Sequence, residues 1–171
     1  EMELDRLFLR APSFWAEQKI TLRLGALVTT IDRTRKTVRV GDETVPYDQL
    51  ALTTGSRPRR LPASIGGDLP GVFTVRTLAD VYAMAPEFRE GRRLLIVGGG
   101  GYIGLEAAAV GAKLGLGVTL IEMAPRILSR VAAPETSDYF RRVHTDHGVR
   151  IFENIGLDRL TGEGHVAGAE L

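Results

Sequence analysis

A chain of 171 residues has room for one modest domain or two incomplete halves, and its 20 glycines, well above the usual ~7%, make backbone geometry a theme. The charges nearly cancel, 22 Lys and Arg against 21 Asp and Glu, which leaves no field able to recruit nucleic acid or an acidic membrane surface. With no cysteine, the chain has no disulfide, thiolate zinc site, iron–sulfur cluster or CxxC pair of its own, so redox work needs a borrowed cofactor.

Residues 12–18 predict one or two helical turns, because Pro12 stands near the first helical position, where its missing N–H costs nothing. Phe14 and Trp15 are expected to anchor those turns to a core. Residues 21–24, 26–31, 37–40 and 44–47 are β-rich. Polar breaks at 32–36 and 41–42 separate three of these at hairpin distances and predict a small antiparallel meander. An apolar strand is expected over 50–55. Residues 56–71, with three prolines and three glycines, form the expected domain junction.

The second part changes character. A helix is predicted over 77–85, a strand over 92–97 running into four glycines at 98–101, a helix over 102–114, a strand over 118–122, an amphipathic helix over 134–147 and a strand over 149–154. This alternation is the signature of an α/β fold with a parallel sheet and right-handed crossovers. Two further short β segments flank Gly162 and Gly164, after which the chain is expected to stop short of a closing element. The longest apolar stretch, 94–105, is interrupted by the glycines and falls short of the roughly 20 residues that cross a bilayer. The acidic start is unlike a signal peptide, and a cytoplasmic protein is the expectation.

The chemistry concentrates at Gly99, Gly101 and Gly104, a G-x-G-x-x-G spacing between a strand and a helix. Gly99 permits a tight turn, Gly101 admits a pyrophosphate, and Gly104 lets the helix lie close to the sheet. The helix N-terminus then offers free N–H donors and its positive dipole end to an anion. Glu122, 18 residues beyond Gly104 at the end of the second strand, is placed to accept the ribose hydroxyls of an adenosine. A carboxylate there favours NAD over NADP, and Arg126 and Arg130 are the two cations able to turn toward a 2′-phosphate instead. Gly98 is expected to lie in the turn and lengthen it. The competing register is Gly98-x-Gly100-x-x-x-Gly104. His144 and His147 stand three apart on one helix, but no third ligand accompanies them, and a surface or capping role is expected.

The segments GGGGYIGLEAA, VTLIEMAPRILSRV and LALTTGSRPRRLP together resemble the FAD-dependent, NADH-linked ferredoxin and rubredoxin reductases that serve Rieske oxygenases and cytochromes P450. The resemblance implies a partial FAD-binding domain over 1–58, carrying the antiparallel meander, and a Rossmann-like NAD-binding domain over 59–171. It implies that NADH passes a hydride to FAD, and that the flavin passes single electrons to a ferredoxin or rubredoxin type iron–sulfur partner. By this match Gly99, Gly101, Tyr102, Ile103 and Gly104 form the NAD phosphate loop. Glu122 is the ribose acceptor, Arg130 an adenine-side residue and Glu106 a carboxylate near the nicotinamide. Val28, Thr54, Gly55 and Arg57 are the FAD contacts, and no catalytic residue or metal ligand is implied.

The family's first dinucleotide fingerprint, its later Gly-Asp segment and its C-terminal domain have no counterpart here, and four glycines stand where the family usually shows three. The chain is therefore expected to be the middle of an enzyme, inactive alone and prone to self-association around 45–53. Two other readings stand beside this one: an NADH module of a nitrite-reductase-like or disulfide-reductase-like flavoprotein, and a non-catalytic NAD-binding module.

Overall fold

The computed structural model describes residues 4–171, so the first three residues, part of the acidic start, lie outside the described residues. Two compact units divide the chain, Glu1–Gly55 and Ser56–Leu171.

In the first unit, a short helix α1 (Pro12–Glu17) precedes strands β1 (Val28–Asp32), β2 (Thr37–Val40) and β3 (Glu43–Pro46). They form one antiparallel sheet in the order β1-β2-β3, pairing Asp32 with Thr37 and Val40 with Glu43. The first turn is held by Asp32, whose carboxylate accepts from the N–H groups of Thr34 (3.0 Å) and Arg35 (2.8 Å). Phe14 and Trp15 meet edge to face at 5.3 Å and are half-buried, but α1 has no fully buried residue, so the expected anchoring to a core is only partial.

Two expected strands are absent. Residues 21–24 and 50–55 run without a ladder, and Leu24 and Leu52 are 88% and 67% exposed. Their apolar, β-rich sequences favour extended backbone, but a strand exists only where a neighbour supplies the other half of each hydrogen bond.

The second unit carries the buried core. Helix α2 (Leu78–Met84) starts at a reciprocal capping box, in which Thr77 accepts from the Asp80 N–H and Asp80 accepts from the Thr77 N–H. Then follow β4 (Arg93–Val97), α3 (Tyr102–Lys113), β5 (Gly117–Glu122), α4 (Pro134–Asp146) and β6 (Arg150–Glu153), with the strands forming a parallel sheet in the order β4-β5-β6. Leu105 and Ala108 of α3 pack on Val118 and Leu120 of β5, with Leu116, Ile127, Leu128 and Val149 completing the cluster. Alternate residues Leu94 and Ile96 of β4 and Ile151 of β6 reach the same side, which marks the helix-covered face of the sheet.

A parallel sheet is stable when both faces are covered. On the second face, Arg93, Leu95, Val97 and Thr119 line a cavity of about 790 Å³. A hairpin of β7 (Arg159–Thr161) and β8 (Gly168–Glu170) borders it, and the Arg93 guanidinium donates to the Ala167 carbonyl at 3.2 Å.

Candidate functional site

The β4–β5 ladder runs in register from Arg93 opposite Gly117 to Val97 opposite Ile121, so the carboxyl ends of both strands finish side by side. The glycine run leaving β4 and Glu122 at the end of β5 therefore meet in one crevice, where ligands bind in open α/β sheets.

Four constraints shape this crevice. Gly98 leaves the strand in the left-handed region, at φ +62°. Gly104 lies against the turn so closely that a Cβ on it would stand 2.1 Å from the Gly99 carbonyl oxygen, which only glycine tolerates. Glu122 accepts the Gly100 N–H on Oε2 and the Ala124 N–H on Oε1, each at 2.9 Å, so its carboxylate is oriented in advance. The Gly100 carbonyl accepts the Leu128 N–H at 2.6 Å. Gly100 is thus held at both its polar groups by the chain that leaves β5.

Gly101 stands at the N-cap of α3, where its carbonyl accepts from the Leu105 N–H at 3.1 Å and it has no side chain to cap the helix. Among the described residues, the N–H groups of Gly101, Tyr102, Ile103 and Gly104 have no acceptor. A Cβ on Gly101 would meet nothing within 4 Å, so the backbone at the start of the helix is open to close approach. Unpaired donors at the positive end of a helix dipole form a cradle for phosphate oxygens. The residues present therefore fit a phosphate group of a dinucleotide, with the Glu122 carboxylate beside the same glycine turn.

Tyr102 and Ile103, 60% and 63% exposed, flank the opening, and Glu106 is exposed one turn further on the same helix face. The two arginines differ. Arg126 is half-buried and donates to Ser137 Oγ (2.6 Å) and to the Ser129 carbonyl (3.4 Å), which turns it toward α4 and away from the role of a 2′-phosphate cation. Arg130 is exposed on the loop and has no partner among the described residues. The loop residues around them are tied down as well: Ser137 Oγ donates to the Ile127 carbonyl, and Glu153 accepts from the Ile127 N–H and from Arg141.

The remaining expected contacts lie apart from this crevice in the chain. Val28 opens β1 beside a register shift and is 45% exposed, Thr54 is exposed, and Gly55 has φ +71° at the end of the first unit. Arg57 is exposed near the start of the second unit. Sequence reasoning missed Leu128, which is buried yet holds φ +55°. No sequence pattern marks a leucine for that conformation.

The pyridine nucleotide-disulphide oxidoreductase family model matches residues 7–170, and the chain belongs to that family. Among curated relatives, a ferredoxin–NAD(P)+ reductase of a Sphingomonas species is 40% identical over 173 residues, covering 100% of this chain and 41% of that protein. Putidaredoxin reductase of Pseudomonas putida is 41% identical over 150 residues, covering 86% of this chain and 35% of that protein. Putidaredoxin reductase in its covalent complex with putidaredoxin superposes with a TM-score of 0.88 at 36% identity, over 98% of this chain and 42% of that one. The NADH-bound water-forming NADH oxidase of Lactobacillus brevis superposes with a TM-score of 0.73 at 25% identity, over 95% of this chain and 37% of that one. The chain spans about two fifths of the curated relatives' length.

Proposed function

We propose that this chain is the NADH-binding part of a flavoprotein oxidoreductase that moves electrons from NADH through FAD to an iron–sulfur protein of the ferredoxin or rubredoxin type. The observation that carries the reading is the crevice at the β4 and β5 ends, where unpaired α3 donors stand beside a carboxylate already oriented by two backbone N–H groups. The match of 86–100% of this chain to part of ferredoxin and putidaredoxin reductases supports the choice within the family.

In this reading the N–H groups of Gly101, Tyr102, Ile103 and Gly104 hold the pyrophosphate, and Gly99 and Gly104 keep strand and helix close enough for that. Glu122 accepts the ribose hydroxyls, and its charge opposes a 2′-phosphate. Arg130 lies on the adenine side, and Glu106 faces the nicotinamide side of the helix. The exposed Thr54, Gly55 and Arg57, along one short segment, supply polar contacts suited to FAD, with Val28 offering backbone. When bound, the nicotinamide supplies the hydride and the flavin divides it into single electrons. The protein's share is to bind and orient each cofactor. The cytoplasm is the proposed location. Among the described residues no helix is long and apolar enough to cross a membrane.

Titration calorimetry of the chain with NADH and with NADPH tests the reading. NADH is expected to bind more tightly. Equal affinities, or tighter NADPH, would remove Glu122 from the ribose and favour Arg130 as a cation toward a 2′-phosphate.

A further inference from the structure

The glycine spacing of a dinucleotide loop is satisfied by Gly99, Gly101 and Gly104, which leaves Gly98 outside it. Three observations say what Gly98 does. The N–H groups of Gly98 and Gly99 both point to one acceptor, the Ile121 carbonyl, at 3.0 and 3.4 Å. The ladder up to that point is regular, with Val97 opposite Ile121. Gly98 itself is left-handed at φ +62°, and a Cβ there would meet nothing within 4 Å. Two residues on one strand set against one on its neighbour, the first a left-handed glycine, define a bulge.

We propose that Gly98 is a one-residue bulge at the exit of β4 that absorbs an extra residue, so that Gly99 still meets Gly104, Gly100 still meets Glu122 and Leu128, and the α3 donors keep their aim. Gly98 is thereby a positioning residue for dinucleotide affinity, and this rests on the NADH reading above. Its space is open, so a side chain is penalised only through the backbone angle. An L-residue that leaves the left-handed region shifts the whole loop by a peptide. Binding must then restore the strained conformation, and the cost appears in affinity.

Gly91 provides the comparison. It is also left-handed, at φ +79°, has equally open space, and lies before β4, at the end of the strand away from the crevice. Gly91→Ala carries the same kind of backbone penalty with no route to the nucleotide.

The test uses the chain itself in four variants, Gly98→Ala, Gly98→Asn, deletion of Gly98, and Gly91→Ala. NADH affinity is measured by calorimetry and stability by thermal melting. Gly98→Ala is expected to weaken NADH about tenfold. Gly98→Asn, whose side chain tolerates the left-handed region, is expected to recover most of that loss. Deletion is expected to hold the parent affinity, because bulge and surplus residue leave together. Gly91→Ala is expected to lower the melting temperature with NADH affinity unchanged. The inference fails if Gly98→Ala binds NADH like Gly91→Ala, if Asn rescues nothing, or if deletion abolishes binding, which would show that the longer register is in use. A parent chain that does not bind NADH would instead overturn the dinucleotide reading, and the bulge's role would fall with it.

Discussion

Glu122 already accepts one backbone N–H on each oxygen, which fixes its carboxylate and leaves each oxygen a further lone pair. A Glu122→Gln variant keeps the shape but loses the charge and one acceptor. Its NADH affinity is expected to fall about tenfold, and its preference over NADPH to shrink, by calorimetry with both nucleotides. Gly104 is constrained differently. Alanine there would drive a Cβ to 2.1 Å from a backbone oxygen, so Gly104→Ala is expected to cost about 1–3 kcal/mol of stability and to displace α3 from the loop. A melting temperature equal to that of the parent would contradict the close approach.

At the scale of elements, the loop from β5 to α4 is the support of the site. Leu128 reaches the Gly100 carbonyl, while Ser137, fully buried on α4, bridges the Ile127 carbonyl and Arg126 at 2.6 Å each. Ser137→Ala leaves both groups without that partner and is expected to destabilise by about 1–3 kcal/mol, with a measurable loss of NADH affinity as the loop loosens. If affinity is untouched while stability falls, the loop does not support the glycine turn. Two turns further along the same face of α4, burial pushes the His144 imidazole below its ordinary pKa, and the neighbouring His147 adds to the effect. Lys113 of α3 lines the same small pocket.

The unfolded chain therefore takes up this proton before the folded one as pH falls. The contribution is fully present above the ordinary value of about 6.5, declines as pH drops through it, and levels off below the depressed folded value. Melting temperatures between about pH 7.5 and 5.5 are expected to decline, and the decline to be smaller in His144→Gln. Parallel profiles would show that the imidazole is not the group responsible.

For the whole molecule, the distribution of burial is uneven. The buried hydrophobic side chains all fall between Leu105 and Val149, and no described side chain before Ser56 is fully buried. A meander without a core contributes little stability of its own. Residues 1–55 expressed alone are expected to show no cooperative unfolding by circular dichroism, whereas 56–171 are expected to melt cooperatively. Leu50 and Leu52, 41% and 67% exposed on a segment without a ladder, are also the kind of surface that self-associates, and a concentration-dependent elution volume in gel filtration is the expected sign. The chain alone is further expected to lose flavin on desalting. Flavin absorbance that survives desalting would show that 171 residues suffice to hold it.

Much of the site was legible because its signals are local. The Gly99, Gly101 and Gly104 spacing, the strand before it, the small-residue helix after it and an acid at the next strand end are all consecutive in the chain, and each follows from a backbone or dipole requirement of its own segment. The polar breaks of the meander were legible for the same reason. What depended on tertiary structure was pairing. The sequences of 21–24 and 50–55 are as β-rich as those of β1 to β3, yet only the latter have neighbours to complete their ladders. Arg126 and Arg130 look alike in the sequence, and only the packing of α4 brings Ser137 to the first and leaves the second exposed. Nothing local makes Leu128 left-handed. Its conformation follows from the loop lying against Gly100, which the β4–β5 register imposes by setting Val97 opposite Ile121. Short-range chemistry thus chose the parts, and the alignment of two strand ends, a contact between distant residues, decided which of those parts meet in the crevice.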